Sequence, residues 1–160
     1  MGAAAPPHPS RAPPGTAGRP SYPAPVAAVT YTYDVDGVSW QALKAALAAD
    51  DFDNGRTPAQ YAASHRASHA VGFAWAAGTV VGNARLLSDG VCNAYLVDVW
   101  TASPHRRQKI ATTLVARLLS TVPGQHVALF TDDAEPLYAS LGFAVQTTGM
   151  SKVVGTWLAS

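Results

Sequence analysis

Cysteine is nearly absent. The single residue Cys92 in a chain of 160 excludes an intramolecular disulfide and a cysteine-only metal site. Beside a strand-like run it reads as a small packing residue. Charge is scarce too. Charged residues make up 13% of the chain and the net charge is +1, which argues against a dedicated nucleic-acid surface or a polybasic membrane patch. No apolar run is long enough to span a bilayer, and the N-terminus lacks the apolar stretch of a secretory signal. Met1-Gly2 opens like a myristoylation site, but Pro6 stands where Ser or Thr is required. The default expectation is cytoplasmic, with neither nucleic acid nor membrane as partner. The acidic loop Asp50–Arg56 lacks the closing carboxylate of a calcium site. His65 and His69 are four apart but have no evident third ligand, so no metal is expected.

What is present divides unevenly. Residues 1–25 hold eight of the twelve prolines, with Ala, Gly and Ser around them. Such a segment buries too little apolar surface to offset its ordering entropy, so residues 1–27 are expected to be a disordered tail. Residues 28–160 form one domain of ordinary size. Val29–Tyr33 reads as a strand and Asp36-Gly37 as a turn. Ser39 caps a helix from Trp40 to about Ala49, with Trp40, Leu43 and Leu47 on one face. Thr57-Pro58 opens a second helix reaching about His65. Ala70–Trp75 and Thr79–Leu87 are strands joined at Ala77-Gly78. Asp89-Gly90 turns into a strand that runs to Thr101.

The richest stretch runs from Asn93 to Leu119. An apolar strand, Ala94–Thr101, meets a basic turn, Ser103–Lys109. Ile110, Leu114, Val115, Leu118 and Leu119 then recur at the spacing of an amphipathic helix. A strand, basic turn and helix can hold a phosphate, because a helix N-terminus presents unpaired N–H groups and partial positive charge. A solvated basic turn is the bland alternative. Pro123-Gly124 then turns into a strand at Val127–Thr131, parallel to the first because a helix separates them. Ala134–Leu141 is a short helix with Pro136 in its first turn and Gly142 closing it. Ala144–Thr147 and Lys152–Trp157 are expected to pair as a final antiparallel hairpin.

Two blocks carry a family resemblance. Pro104, Arg106, Arg107, Gln108, Ile110 and Ala111 resemble the pyrophosphate signature of the GNAT N-acetyltransferases, Arg/Gln-x-x-Gly-x-Gly/Ala. Ala134, Tyr138, Gly142 and Phe143 resemble the family's A-x-x-x-Y-x-x-x-G-F block. Three departures stand out. Lys109 occupies the middle glycine position, the spacing from Pro104 to the first arginine is one residue tighter, and Thr131 replaces a frequent asparagine.

The resemblance implies an α/β (α+β) fold: a mixed, mostly antiparallel sheet of six to seven strands with a splayed parallel pair and about four helices. It implies acetyl transfer from acetyl-CoA to a primary amine of a small molecule or peptide, by direct attack in a ternary complex. A catalytically inactive GNAT-fold protein, binding CoA weakly or serving as an interaction module, is the alternative that Lys109 motivates. Dimerisation is common in the family, so a homodimer is compatible with the reading.

The implied cofactor residues are Val97, Val99, Trp100 and Thr101 on the strand, then Arg106, Arg107, Gln108, Lys109, Ile110, Ala111 and Thr112. Val99 N–H would polarise the thioester carbonyl, and His105 and Arg107 could reach the ribose phosphate. Tyr138 matches the tyrosine that protonates the leaving thiolate; otherwise it is a half-buried aromatic. Asp98 is the candidate base. Alternation puts it on the face of Leu96 and Trp100, where a carboxylate needs a purpose or a partner; pairing with an arginine is the other reading. Asp51 and Asp53 are candidate contacts for a cationic acceptor, or else part of a solvated helix end.

Overall fold

A computed structural model describes residues 28–147 and 149–158; the expected tail, 1–27, lies outside the described residues. Local signals in the sequence account for most of the elements. β1 (Thr30–Thr32) precedes α1 (Trp40–Ala49), whose N-cap Ser39 accepts from the Ala42 N–H. α2 (Pro58–Arg66) starts with a full capping box: Gln60 N–H donates to Thr57 Oγ1 and Thr57 N–H donates to Gln60 Oε1. β2 (Ala70–Ala76), β3 (Thr79–Ser88) and β4 (Asn93–Thr101) follow as an antiparallel meander. A 3₁₀ turn at Ser103–His105 leads to α3 (Ile110–Leu119), β5 (His126–Ala128) and α4 (Glu135–Ser140). Gly142, at φ +89, closes α4 in a conformation that suits glycine.

The sheet order is β1-β2-β3-β4-β5, antiparallel except for β4 and β5, which run parallel. Helices cover both faces. On one, Ile110, Leu114, Val115 and Leu118 of α3 pack on Ala74, Ala84, Leu86, Ala94 and Leu96. Each such aliphatic side chain contributes about 1.5–3 kcal/mol when fully buried. On the other, Leu43, Leu47 and Tyr61 of α1 and α2 pack on Val71, Phe73, Val80 and Trp100. Gly82 lets the start of α3 sit close to β3: a Cβ there would lie 2.8 Å from Ile110 Cγ2 and 3.2 Å from Trp100 O.

Three expectations need correction. Among the described residues the sheet has five strands, not six or seven. The segments 144–147 and 152–157 form no strand among the described residues. Their apolar side chains, Val145, Val153, Val154 and Trp157, stay exposed, and Trp157 Nε1 donates instead to Asn54 O at 3.0 Å. Simple alternation along β4 also fails. Asn83 faces Trp100 and Arg85 faces Val97, so Asp98 and Val99 together stand against Ala84. This is a β-bulge, with Asp98 at φ +54. It turns Asp98 away from Leu96, which packs under α3, toward the α1/α2 face that holds Trp100.

Candidate active site

The strands β4 and β5 are paired only at Asn93–Tyr95 and His126–Ala128. β4 continues to Thr101 alone on that side, whereas β5 stops before Leu129, short of the expected Thr131. The two strands therefore splay. Ala102 N–H donates to Val81 O at 2.9 Å, and strand alternation from there turns the N–H groups of Thr101 and Val99 toward the opened side.

A cleft of about 540 Å³ occupies the splay. Val99, Trp100 and Thr101 form its floor. Arg106, Arg107, Lys109, Ile110, Ala111 and Thr112 also line it, as do Leu137 and Tyr138 of α4. Among the residues expected at the cofactor, Val97 and Gln108 do not line it. Val97 stands opposite Arg85 below the bulge, and Gln108 is exposed and absent from the cleft lining.

The turn before α3 is shaped by two left-handed residues, Arg107 at φ +64 and Lys109 at φ +61. Turns of this kind gather N–H groups into an anion-binding concavity. No side chain caps α3 among the described residues. Thr113 N–H reaches Lys109 O at 2.9 Å, so the N–H groups of Ile110, Ala111 and Thr112 lie ahead of the first helical bond and have no partner within the helix. Lys109 adopts the conformation that a glycine would take at this position, and so preserves the turn. Two buried polar atoms of the cleft residues, Thr101 Oγ1 and His105 Nδ1, have no hydrogen-bond partner among the described residues. Buried polar atoms seldom remain unpaired. Donors, a helix N-terminus and cationic side chains together suit a pyrophosphate-bearing molecule.

Arg106 is tethered across the mouth. Its Nη2 donates to Asp50 Oδ2 at 3.0 Å and its Nε to Thr101 O at 3.3 Å. Asp50 also accepts from Trp100 Nε1 at 2.9 Å, from Ser103 N–H at 3.3 Å and from Ser103 Oγ. The end of α1 is thereby fastened to the basic turn.

Tyr138 is buried, 8% exposed, with its ring edge-on to Phe143. Burial, and after it the negative charge of Asp133, pushes the phenol pKa up. It is therefore protonated at neutral pH. Asp133 lines the same cleft.

A second cavity of about 260 Å³ adjoins the first through Phe52, which lines both. Its walls are Phe52, Asp53, Asn54, Arg56, Tyr61 and Asp98. Arg85 Nε at 2.5 Å and Arg56 Nη2 at 2.8 Å both donate to Asp98 Oδ2. Burial pushes the Asp98 pKa up, but the hydrogen bonds and charges of Arg85 and Arg56 outweigh it and hold the carboxyl below its ordinary value. Asp53 pairs with the buried Lys44, and Asp51, at φ +55, is exposed on the loop. His65 and His69 do not come together: His65 is buried in α2 and His69 is exposed beyond it.

Several cleft residues escaped the sequence reading. Phe52 carried a signal, an aromatic within an acidic loop. Arg56 and Asp133 carried none, because only the fold brings them to Asp98 and Tyr138; neither did Asn83, which lines neither cavity but donates to Asp98 O at 2.9 Å.

Comparison with known proteins agrees with this geometry. The model of the acetyltransferase (GNAT) family matches residues 35–143. A Staphylococcus aureus protein of unknown function superposes with a TM-score of 0.70 at 17% identity, covering 80% of this chain and 100% of its own. A GNAT-family protein of Streptococcus pneumoniae gives 0.66 at 23% identity, covering 79% and 98%. A GNAT-family protein of Xanthomonas campestris gives 0.67 at 23% identity, covering 81% and 95%. No functionally curated protein matches the sequence. At these identities the structural likeness speaks for the fold, and the match over about two-thirds of the chain speaks for the family: the protein belongs to the GNAT acetyltransferases.

Proposed function

We propose that the protein moves an acetyl group from acetyl-CoA to a primary amine of a small molecule or peptide, by direct attack while both are bound. The observation that carries this reading is the cleft itself. A splayed strand pair, a left-handed turn and an uncapped helix N-terminus converge where Thr101 Oγ1 and His105 Nδ1 lack partners among the described residues.

In this reading Arg107, Lys109 and the N–H groups of Ile110, Ala111 and Thr112 hold the pyrophosphate, and Thr101 and His105 gain their missing contacts. Acetyl-CoA supplies the activated acyl group. Val99 N–H stabilises the carbonyl oxygen as negative charge develops. The amine nitrogen bonds to the acyl carbon as the carbon–sulfur bond breaks, and the Tyr138 hydroxyl gives its proton to the leaving sulfur. Asp98 faces the acceptor side. Its depressed pKa makes it a stronger partner for an ammonium than a base for its proton, so water is the more effective proton acceptor here.

Calorimetry with acetyl-CoA, followed by thiol release across a panel of amines, tests the proposal. Binding with turnover is expected, and Tyr138→Phe should lower kcat by about 10²–10⁴ while leaving the acetyl-CoA affinity unchanged. Asp98→Asn should raise KM more than it lowers kcat. Binding without turnover of any amine would favour the non-catalytic reading instead.

A further inference from the structure

Charges do not balance in the cluster behind the second cavity, where Arg56 lines the cavity itself and Lys44 and Arg85 reach only the carboxylates, Asp53 and Asp98, that line it. Lys44, Arg56 and Arg85 have side chains 7%, 9% and 12% exposed. Two carboxylates answer them: Asp98, 10% exposed, and Asp53, 34% exposed. Both Lys44 and Arg56 also lie against the ring of Tyr61, at 5.3 and 4.5 Å from its centroid. Three cations against two anions leave an excess of one positive charge. Of the loop's other carboxylates, Asp50 is already engaged by Arg106, Trp100 and Ser103, and Asp51 is exposed and pairs with none of the three cations among the described residues. Each cation has a partner, but Arg56 and Arg85 share the single carboxylate of Asp98, so the cluster keeps one net positive charge, and uncompensated charge away from water is costly.

The guanidinium that lines the cavity still has capacity. Arg56 donates from Nε to Asn54 Oδ1, from Nη1 to Ser64 Oγ and from Nη2 to Asp98 Oδ2. An arginine has five N–H donors, so two N–H groups are unspent among the described residues. Asp98 accepts both of its arginines on Oδ2, and its Oδ1 accepts no hydrogen bond among the described residues. The bulge places this carboxylate one residue from Val99, which lines the acyl-transfer cleft.

We infer that the second cavity recognises a carboxylate, and that the acceptor is therefore an amine that also carries a carboxylate group, as a free amino acid does. The inference rests on the acetyltransferase reading and narrows its acceptor. Arg56 holds the carboxylate with its spare N–H groups, and Asp98 Oδ1 receives the ammonium. Asp53 contributes no net attraction for a cation, because Lys44 neutralises it.

The test is a set of matched acceptors on the unaltered protein: free amino acids, their carboxamides and their decarboxylated amines. Thiol release is measured with acetyl-CoA, and calorimetry measures acceptor binding. The free acids should lead in kcat/KM by about ten- to a hundredfold, the worth of a hydrogen bond to a charged group. Arg56→Lys, which keeps the charge but loses the planar fork, should shrink that lead and leave acetyl-CoA affinity unchanged. Equal or better turnover of the uncharged carboxamides or of the amines would overturn the inference while leaving the enzyme reading intact. Failure to bind acetyl-CoA would sink the enzyme reading. The carboxylate site is then judged by calorimetry alone, where equal heats for acid and carboxamide would overturn it.

Discussion

At the scale of single residues, Lys109 sits at φ +61, where a side chain costs about 1–2 kcal/mol. Glycine removes that cost but loses more backbone entropy on folding, about 0.5–1 kcal/mol. Lys109→Gly should therefore stabilise the fold by up to about 1 kcal/mol in urea denaturation. Acetyl-CoA affinity should stay within about threefold, because the N–H groups of the turn remain in place. A marked loss of stability would mean that the lysine side chain holds the turn by contacts and not despite its torsion. The motif around this residue was legible from chain order alone. That a lysine could take a glycine's torsion was not, since torsion is set by the surrounding turn.

Among elements, the cleft depends on where α3 begins relative to β3 and β4. Gly82 sets that distance, with Ile110 Cγ2 only 2.8 Å from where a Cβ would stand. Gly82→Ala forces the first turn of α3 off the sheet and should cost about 1–3 kcal/mol as overpacking. It should also weaken acetyl-CoA binding, because the helix N-terminus moves with Ile110. Stability and affinity both at the level of the unaltered protein would show that α3 can shift without harm. The helix and its face were readable from the recurrence of Ile110, Leu114, Val115 and Leu118, which are all buried. The bulge at Asp98 was not readable. An extra residue in a strand leaves no local mark, and here it reverses which face a carboxylate joins.

For the molecule as a whole, pH exposes a cost built into the core. His65 is 1% exposed among Trp40, Tyr61 and Phe73. Its Nδ1 lies 2.9 Å from Tyr61 O, and Nε2 has no partner among the described residues. Burial pushes its pKa down from 6.5 to about 4. Between those values the unfolded chain binds a proton that the folded chain does not, so stability falls as pH drops from 6.5 toward 4. The loss is about 1.4 kcal/mol per pH unit, about 3 kcal/mol over the window. Asp98 has its pKa held below 3.8, so its own contribution is lost only at lower pH and does not blur the signal. Chemical denaturation at pH 7, 5.5 and 4.5 measures the slope. His65→Gln, which does not titrate, should flatten it, and an unchanged slope in that variant would assign the effect elsewhere.

Chain order by itself determined the helices with their caps at Ser39 and Thr57, the antiparallel meander, the parallel crossover and the two blocks that resemble the family. Those features rest on neighbours within a few residues, where periodicity, capping chemistry and turn residues act. Tertiary structure alone decided the length of β5, the absence of a final hairpin among the described residues, and the company that Asp98 keeps. Arg56 and Arg85 are 42 and 13 residues from it. A pairing that depends on three separate elements meeting at one bulge has no local signature, because long-range packing and charge, not local propensity, set its geometry.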